Sequence, residues 1–272
     1  MKTLLIIKRS DGIGDWIMTM SVIKMINYQY PDIDIFVKLN FENSKYKNFI
    51  IDIIKNSNVN VNFFQSKEQN YNYTCDGLRY PSFADLRKRN EQYHVIKYMI
   101  DDLNTKTKLN VEYHEHLLSK IVNIQEVDLK KPYVVMPSVG RYDKGNFGKP
   151  GYTQGKHFGY ENYNKLSYYF WEKGINVVQI GAKNDPALEY ATDIFLNIYS
   201  RPTLGILKNC LFYVGEENGL LHLAGHNDIK SYGLYLGLSH PFFTSYKDQI
   251  PIFCNDKSVE QIFKEIKCEK IF

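Results

Sequence analysis

Apolar and polar positions along this chain fall into two rhythms. Short, nearly continuous apolar runs occur at residues 3–8, 33–39 ("IDIFVKL"), 59–64 ("VNVNFF"), 133–137 ("YVVMP") and 175–180 ("INVVQI"). Runs of this length, rich in Val and Ile and bounded by Gly, Pro or Asn, predict buried strands. Between them apolar residues return at helical spacing, which predicts helices over 15–29, 85–104, 111–124, 160–173, 186–192, 203–209 and 219–226. Further strands are expected near 196–199, 211–214 and 231–236.

Alternation of this kind predicts parallel sheets covered by helices, the doubly wound α/β class. The run "DLKKP" (128–132) interrupts it, so two domains are expected, 1–130 and 131–272. A C-terminal helix could return to the first of them. In such folds ligands bind beyond the carboxyl ends of the strands, so the loops there are where chemistry is sought.

Composition narrows the classes. With 272 residues there is enough chain for two small cores. No apolar stretch approaches the ~20 residues of a membrane-spanning helix, and the opening "LLII" is far shorter than the apolar core of an export signal. A cytoplasmic chain is therefore expected. The net charge of +4 is too small to announce nucleic-acid binding. Cys75, Cys210, Cys254 and Cys268 are scattered, which reads as reduced thiols and no metal cluster. His114 and His116, two apart on an expected helix, would face different ways and read as surface residues.

Three stretches carry chemistry. In "KRSDGIGDWIMTM" (8–20) a strand leads through Asp11, Gly12 and Gly14 into a helix that begins at Asp15. It is not a dinucleotide fingerprint, because Ile17 stands where the third glycine belongs and no acidic residue closes the second strand. Asp15 is left with two readings, a cap or dipole partner of the helix and a carboxylate placed for chemistry. In "LFYVGEENGLLHLAGH" (211–226), Asn218 can cap a helix opened by Gly219, whose N-terminus suits a phosphate; the alternative is an ordinary capped helix with His222 in the core. The aperiodic loop at 138–160 carries Arg141, Lys144, Lys149 and Lys156 among glycines and could grip a diphosphate, or be a solvated insertion.

Taken together, "GDWIMTMSVIKMINYQYPDIDI", "GKHFGYENYNKLSYYFWEKGINVVQIGAKND" and "YVGEENGLLHLAG" followed by "SYGLYLGLSHPF" resemble glycosyltransferase family nine, the ADP-heptose lipopolysaccharide heptosyltransferases and relatives. The resemblance implies a GT-B fold, two Rossmann-like domains facing across a cleft. It also implies inverting, metal-independent transfer of a heptose or hexose, with an ADP-linked sugar as donor, to a glycan, glycolipid or protein hydroxyl. Lipid-linked acceptors would bring peripheral membrane contact; nucleic acid would have no part.

By the same resemblance Asp15 matches the catalytic base and Gly14 lies in the same substrate-side turn. Lys156 matches the Lys that neutralises the diphosphate, which Arg141 of the same basic loop could also grip, and Asn218 with Gly219 matches the helix N-terminus that holds phosphate oxygens. Glu217 matches the family's Asp, near the sugar hydroxyls or Lys156, and His222 matches its His; Asp185 is a looser candidate for the ribose hydroxyls, and Pro202 with Thr203 for the base pocket. Glu217 replaces the family's Asp, Asn218 its Ser or Thr, and Phe158 its Trp, which bears on sugar specificity. An epimerase of the same architecture and a non-catalytic nucleotide-binding module are the competing readings.

Overall fold

A computed structural model describes residues 2–8, 12–40, 46–64, 70–89, 93–130, 132–137, 157–237 and 239–266. The chain forms two compact units, Met1–Asn123 and Ile124–Phe272. Gln125 already belongs to the second, since its N–H donates to the Arg201 carbonyl at 3.4 Å. Gly205 packs so closely on the Gln125 backbone that a Cβ there would collide with it.

Unit 1 contains β1 (Lys2–Lys8), α1 (Ile13–Gln29), β2 (Ile33–Leu39), α2 (Lys47–Asn56), β3 (Asn62–Phe63), β4 (Tyr73–Asp76), α3 (Phe83–Leu86) and α4 (Val95–Thr107), then a single 3-10 turn at Glu115–Leu117. Its strands pair in parallel in the order β3-β2-β1-β4. The expected amphipathic α1 is instead buried round most of its girth, from Trp16 through Ile23 without a break. A helix apolar all round belongs inside, and α1 packs between α2 and α4.

The helix expected over 111–124 does not form. Its backbone bonds to other elements: Asn104 bridges both the N–H and the carbonyl of Val111, Ser119 N–H donates to Ser21 Oγ, and Val122 N–H to the Asn56 carbonyl. His114 consequently precedes the 3-10 turn and His116 lies within it, their ring centroids 5.5 Å apart and not on separate helix faces. The single helix expected over 85–104 divides into α3 and α4.

Unit 2 contains β5 (Tyr133–Pro137), α5 (Tyr160–Glu172), β6 (Asn176–Gly181), β7 (Asp193–Leu196), α6 (Ser200–Asn209), β8 (Tyr213–Glu216), α7 (Gly219–His226), β9 (Ser231–Tyr235), α8 (Pro241–Thr244), β10 (Gln249–Phe253) and α9 (Val259–Glu265). The sheet is parallel throughout, ordered β10-β9-β8-β5-β6-β7. Chain order reverses between β5 and β8, the switch point at which open α/β sheets bind ligands.

No helix forms at 186–192. Pro186 and Leu188 bond to the buried Gln179 amide, and Glu189 N–H donates to Asn164 Oδ1, so side chains take the place of helical partners. The strand that follows is earlier than expected, at β7. One core cluster gathers Val134, Tyr163, Phe170, Phe212, Val214 and Tyr232. α9 packs on α5 of its own unit, with Phe170 and Phe263 rings edge to face at 5.2 Å.

Candidate functional site

In unit 1 the sheet also reverses beside β1, between β1 and β4, and β1 delivers the chain to the start of α1. The cap position is Gly12, with no side-chain cap hydrogen bond, so Asp15 does not cap the helix. It stands in the first turn with Gly14, half-buried, where a negative charge is favoured by the helix dipole. Its Oδ1 accepts from Tyr80 Oη at 3.2 Å.

Lys8, which sequence reasoning passed over, ends β1 and is 3% exposed, its Nζ donating to the Leu78 carbonyl at 3.3 Å. Burial pushes the Lys8 amine below its usual range, and the nearby negative charge of Asp15 is the main effect opposing that. Unit 1 thus presents a carboxylate held by a phenol, with a buried lysine close enough to feel its charge. A carboxylate so placed can accept a proton from a substrate hydroxyl.

In unit 2 the site begins where β8 ends. Gly215 is required there, because a Cβ would collide with Pro137 of β5 and with the Tyr213 hydroxyl. Asn218 caps α7: its Oδ1 accepts from Leu220 N–H at 2.9 Å and Leu221 N–H at 3.1 Å, and Tyr213 Oη lies 3.2 Å away. With those two amides satisfied, the Gly219 N–H is left at the tip of a helix whose positive end faces the switch point, a geometry that suits an anion.

Glu217 and His222 are both buried, and Glu217 Oε1 lies 3.0 Å from His222 Nε2. His222 Nδ1 is 2.8 Å from Tyr246 Oη, which is 2.9 Å from His226 Nε2. An ionised Glu217 only accepts, so His222 Nε2 carries the proton and Nδ1 takes one from Tyr246, whose oxygen then accepts from His226. Gly225 lets the Tyr246 ring lie against α7, since a Cβ at that position would run into it. His222 and His226 are one turn apart in the sequence, a spacing that puts them on one helix face but carries no sign of the tyrosine between them.

The second carboxylate of the doublet, Glu216, is also buried. Its Oε2 accepts from Phe158 N–H at 2.7 Å and its Oε1 is 3.1 Å from His157 Nδ1. Phe158 itself lies in the core, edge to face on Tyr163.

The remaining expected residues are less concentrated. Asp185 accepts from Ala182 N–H at 2.7 Å and so closes the turn after β6, at the carboxyl end of that strand. Pro202 is half-buried in the first turn of α6. Thr203 is fully buried with its hydroxyl donated to the Tyr199 carbonyl, which leaves it no surface to offer a ligand. Arg141 and Lys156, with the other basic positions of their loop, lie outside the described residues. Among the described residues no group of three His, Cys, Asp or Glu side chains is placed to hold a metal ion, and no helix is long and apolar enough to cross a membrane.

No protein-family model matches the sequence, and no curated protein matches it either. Solved structures do. The family-nine glycosyltransferase from Veillonella parvula aligns with 98% of this chain and 89% of its own at a TM-score of 0.59 and 12% identity. ADP-heptose LPS heptosyltransferase II of E. coli aligns with 98% of this chain and 97% of its own, TM-score 0.66, 15% identity. The E. coli heptosyltransferase WaaC with ADP gives 97% and 98%, TM-score 0.59, 14% identity. The chain has the α/β fold of these structures, the GT-B fold that its motifs resembled.

Proposed function

We propose that this protein is a glycosyltransferase that moves a sugar from a nucleoside diphosphate donor to an acceptor hydroxyl. The observation that carries the reading is the pair of residues at the two switch points. Asp15 stands half-buried and uncapping at the start of α1, and Gly219 opens α7 at the end of β8. Such a carboxylate can deprotonate the attacking hydroxyl, while a helix N-terminus can stabilise the departing diphosphate. Lys156, one residue before His157, would add positive charge to the leaving group, so the reading requires no divalent ion.

The donor we favour is ADP-linked, because one of the similar structures is named for ADP-heptose and another is described with ADP. Glu217 and Asn218 in place of the family's Asp and Ser or Thr leave heptose and hexose both open as the transferred sugar. A glycan or glycolipid is the proposed acceptor class.

Calorimetric titration of ADP, UDP, GDP and CDP, with and without magnesium, tests the donor side. Binding of one diphosphate that persists with a chelator supports the reading, and binding of none overturns it. Incubation of the matching nucleotide sugar without acceptor separates transfer from epimerisation: interconversion of the sugar would make the protein an epimerase.

A further inference from the structure

Beyond the residues singled out above, His157 and Glu216 form a dyad with the construction of a functional site. Glu216 is 1% exposed at the end of β8, and both its oxygens are spent on two consecutive residues, Phe158 N–H and the His157 ring. Its backbone N–H donates to Tyr163 Oη at 3.0 Å, so the residue is held at its main chain as well as at its carboxylate. Burial keeps the Tyr163 and Tyr213 phenols beside it neutral, pushing both well above their ordinary range.

A carboxylate facing Nδ1 accepts a hydrogen bond from the N–H of that nitrogen and thereby aims the other nitrogen. His157 Nε2 has no hydrogen-bond partner among the described residues, and the side chain keeps 16% exposure while Glu216 keeps 1%. A histidine used only to tie down the chain has no need of an oriented, accessible second nitrogen. The dyad sits at the carboxyl end of β8, immediately before Glu217 and the N-terminus of α7.

We infer that His157 is a ligand-contacting residue, its Nε2 donating a hydrogen bond to a phosphoryl oxygen of the nucleoside diphosphate, with Glu216 as the positioning residue behind it. The inference rests on the proposed donor site. A proton on each nitrogen makes the ring a cation, and a bound diphosphate supplies its counter-charge. In the transfer step the acceptor oxygen forms a bond to the anomeric carbon as the bond from that carbon to the diphosphate oxygen breaks. The electron pair goes to the diphosphate, and the acceptor proton goes to Asp15. His157 would bear on the charge that collects on the leaving oxygen.

The test uses the full chain and whichever diphosphate of the panel binds it. His157→Asn keeps an N–H where Nδ1 meets Glu216 but removes the outer nitrogen; His157→Gln reaches to the outer position. The expected result is a diphosphate affinity lower by roughly tenfold or more in His157→Asn, the loss of one charge-assisted hydrogen bond. The melting temperature should stay near that of wild type, and His157→Gln should recover part of the affinity.

Wild-type affinity in His157→Asn would overturn the inference and leave the donor site standing. Affinity and melting temperature falling together in both variants would also overturn it, in favour of a structural tie. Failure of every diphosphate to bind wild type would remove both the donor site and the inference.

Discussion

His222 Nε2 lies 3.0 Å from Glu217 Oε1, with both side chains buried against the sheet of unit 2. This contact anchors a chain of hydrogen bonds that runs on through Tyr246 to His226, and it fixes which nitrogen of His222 holds the proton. The Glu217 carboxylate is thereby oriented by a residue 29 positions away in sequence, Tyr246, through a histidine.

Tyr246 supplies one hydroxyl to two imidazoles, so Tyr246→Phe strands a nitrogen on each. A buried polar group left without its partner costs about 1–3 kcal/mol. The expected outcome is a loss of stability on the order of 2–4 kcal/mol, read as a lower urea midpoint with an unchanged slope. A midpoint equal to that of wild type would mean that the network contributes nothing.

Asp15→Asn retains the shape of the side chain and an acceptor for Tyr80 but loses the base. Transfer should fall by a factor on the order of a hundred or more, with donor affinity near wild type. Single-turnover transfer and calorimetry on the same preparation separate the two quantities. Near-normal turnover would dismiss Asp15 as the base.

Asn218 separates stability from binding. Asn218→Ala removes the cap of α7 and should cost about 1 kcal/mol in thermal or chemical denaturation. Asn218→Asp keeps an oxygen for Leu220 N–H and Leu221 N–H, so stability should hold. The added negative charge at the helix tip should weaken diphosphate binding by roughly tenfold or more. Undiminished affinity in the Asp variant would place the phosphate elsewhere.

Cys75 gives a pH dependence with a defined sign. The thiol is fully buried, and desolvation raises it from 9.0 to about 11. Below pH 9 both folded and unfolded thiols are protonated, and the contribution to stability is complete. Between 9 and about 11 the unfolded thiol ionises while the folded one holds its proton, so stability falls as pH rises, by on the order of 2 kcal/mol. Comparing denaturation midpoints of wild type and Cys75→Ala at pH 8 and pH 10.5 isolates this term: the gap should narrow at the higher pH. An identical gap at both would contradict the assignment.

Much of the fold was legible because burial leaves a periodic trace. β1, β2, β5 and β6 are near-continuous apolar runs, as parallel strands covered on both faces must be, and α5 and α6 carry their apolar positions at helical spacing. α2 is amphipathic as well but was not read from the sequence, α9 was expected only as a C-terminal helix without bounds, and β4, "YTCD", is too short to leave a period. The failures at 111–124 and 186–192 have a common cause. Helical periodicity was present, but Asn104, Ser21, Gln179 and Asn164 offered their backbones better-placed partners from elsewhere in the chain.

The sequence by itself determined the doubly wound class, a helix following the Gly12–Gly14 turn, which begins at Ile13 and not at Asp15, and the capped helix at Asn218, because the local signals for these elements come from residues adjacent in the chain. Only the tertiary structure decided that Asp15 leans on Tyr80, that Glu217 and His226 are joined through Tyr246, and that Glu216 holds His157. Those contacts bring together residues from separate elements. A hydrogen bond acts over about 3 Å whatever the number of residues between its ends, so its partners leave no spacing in the sequence by which to find them.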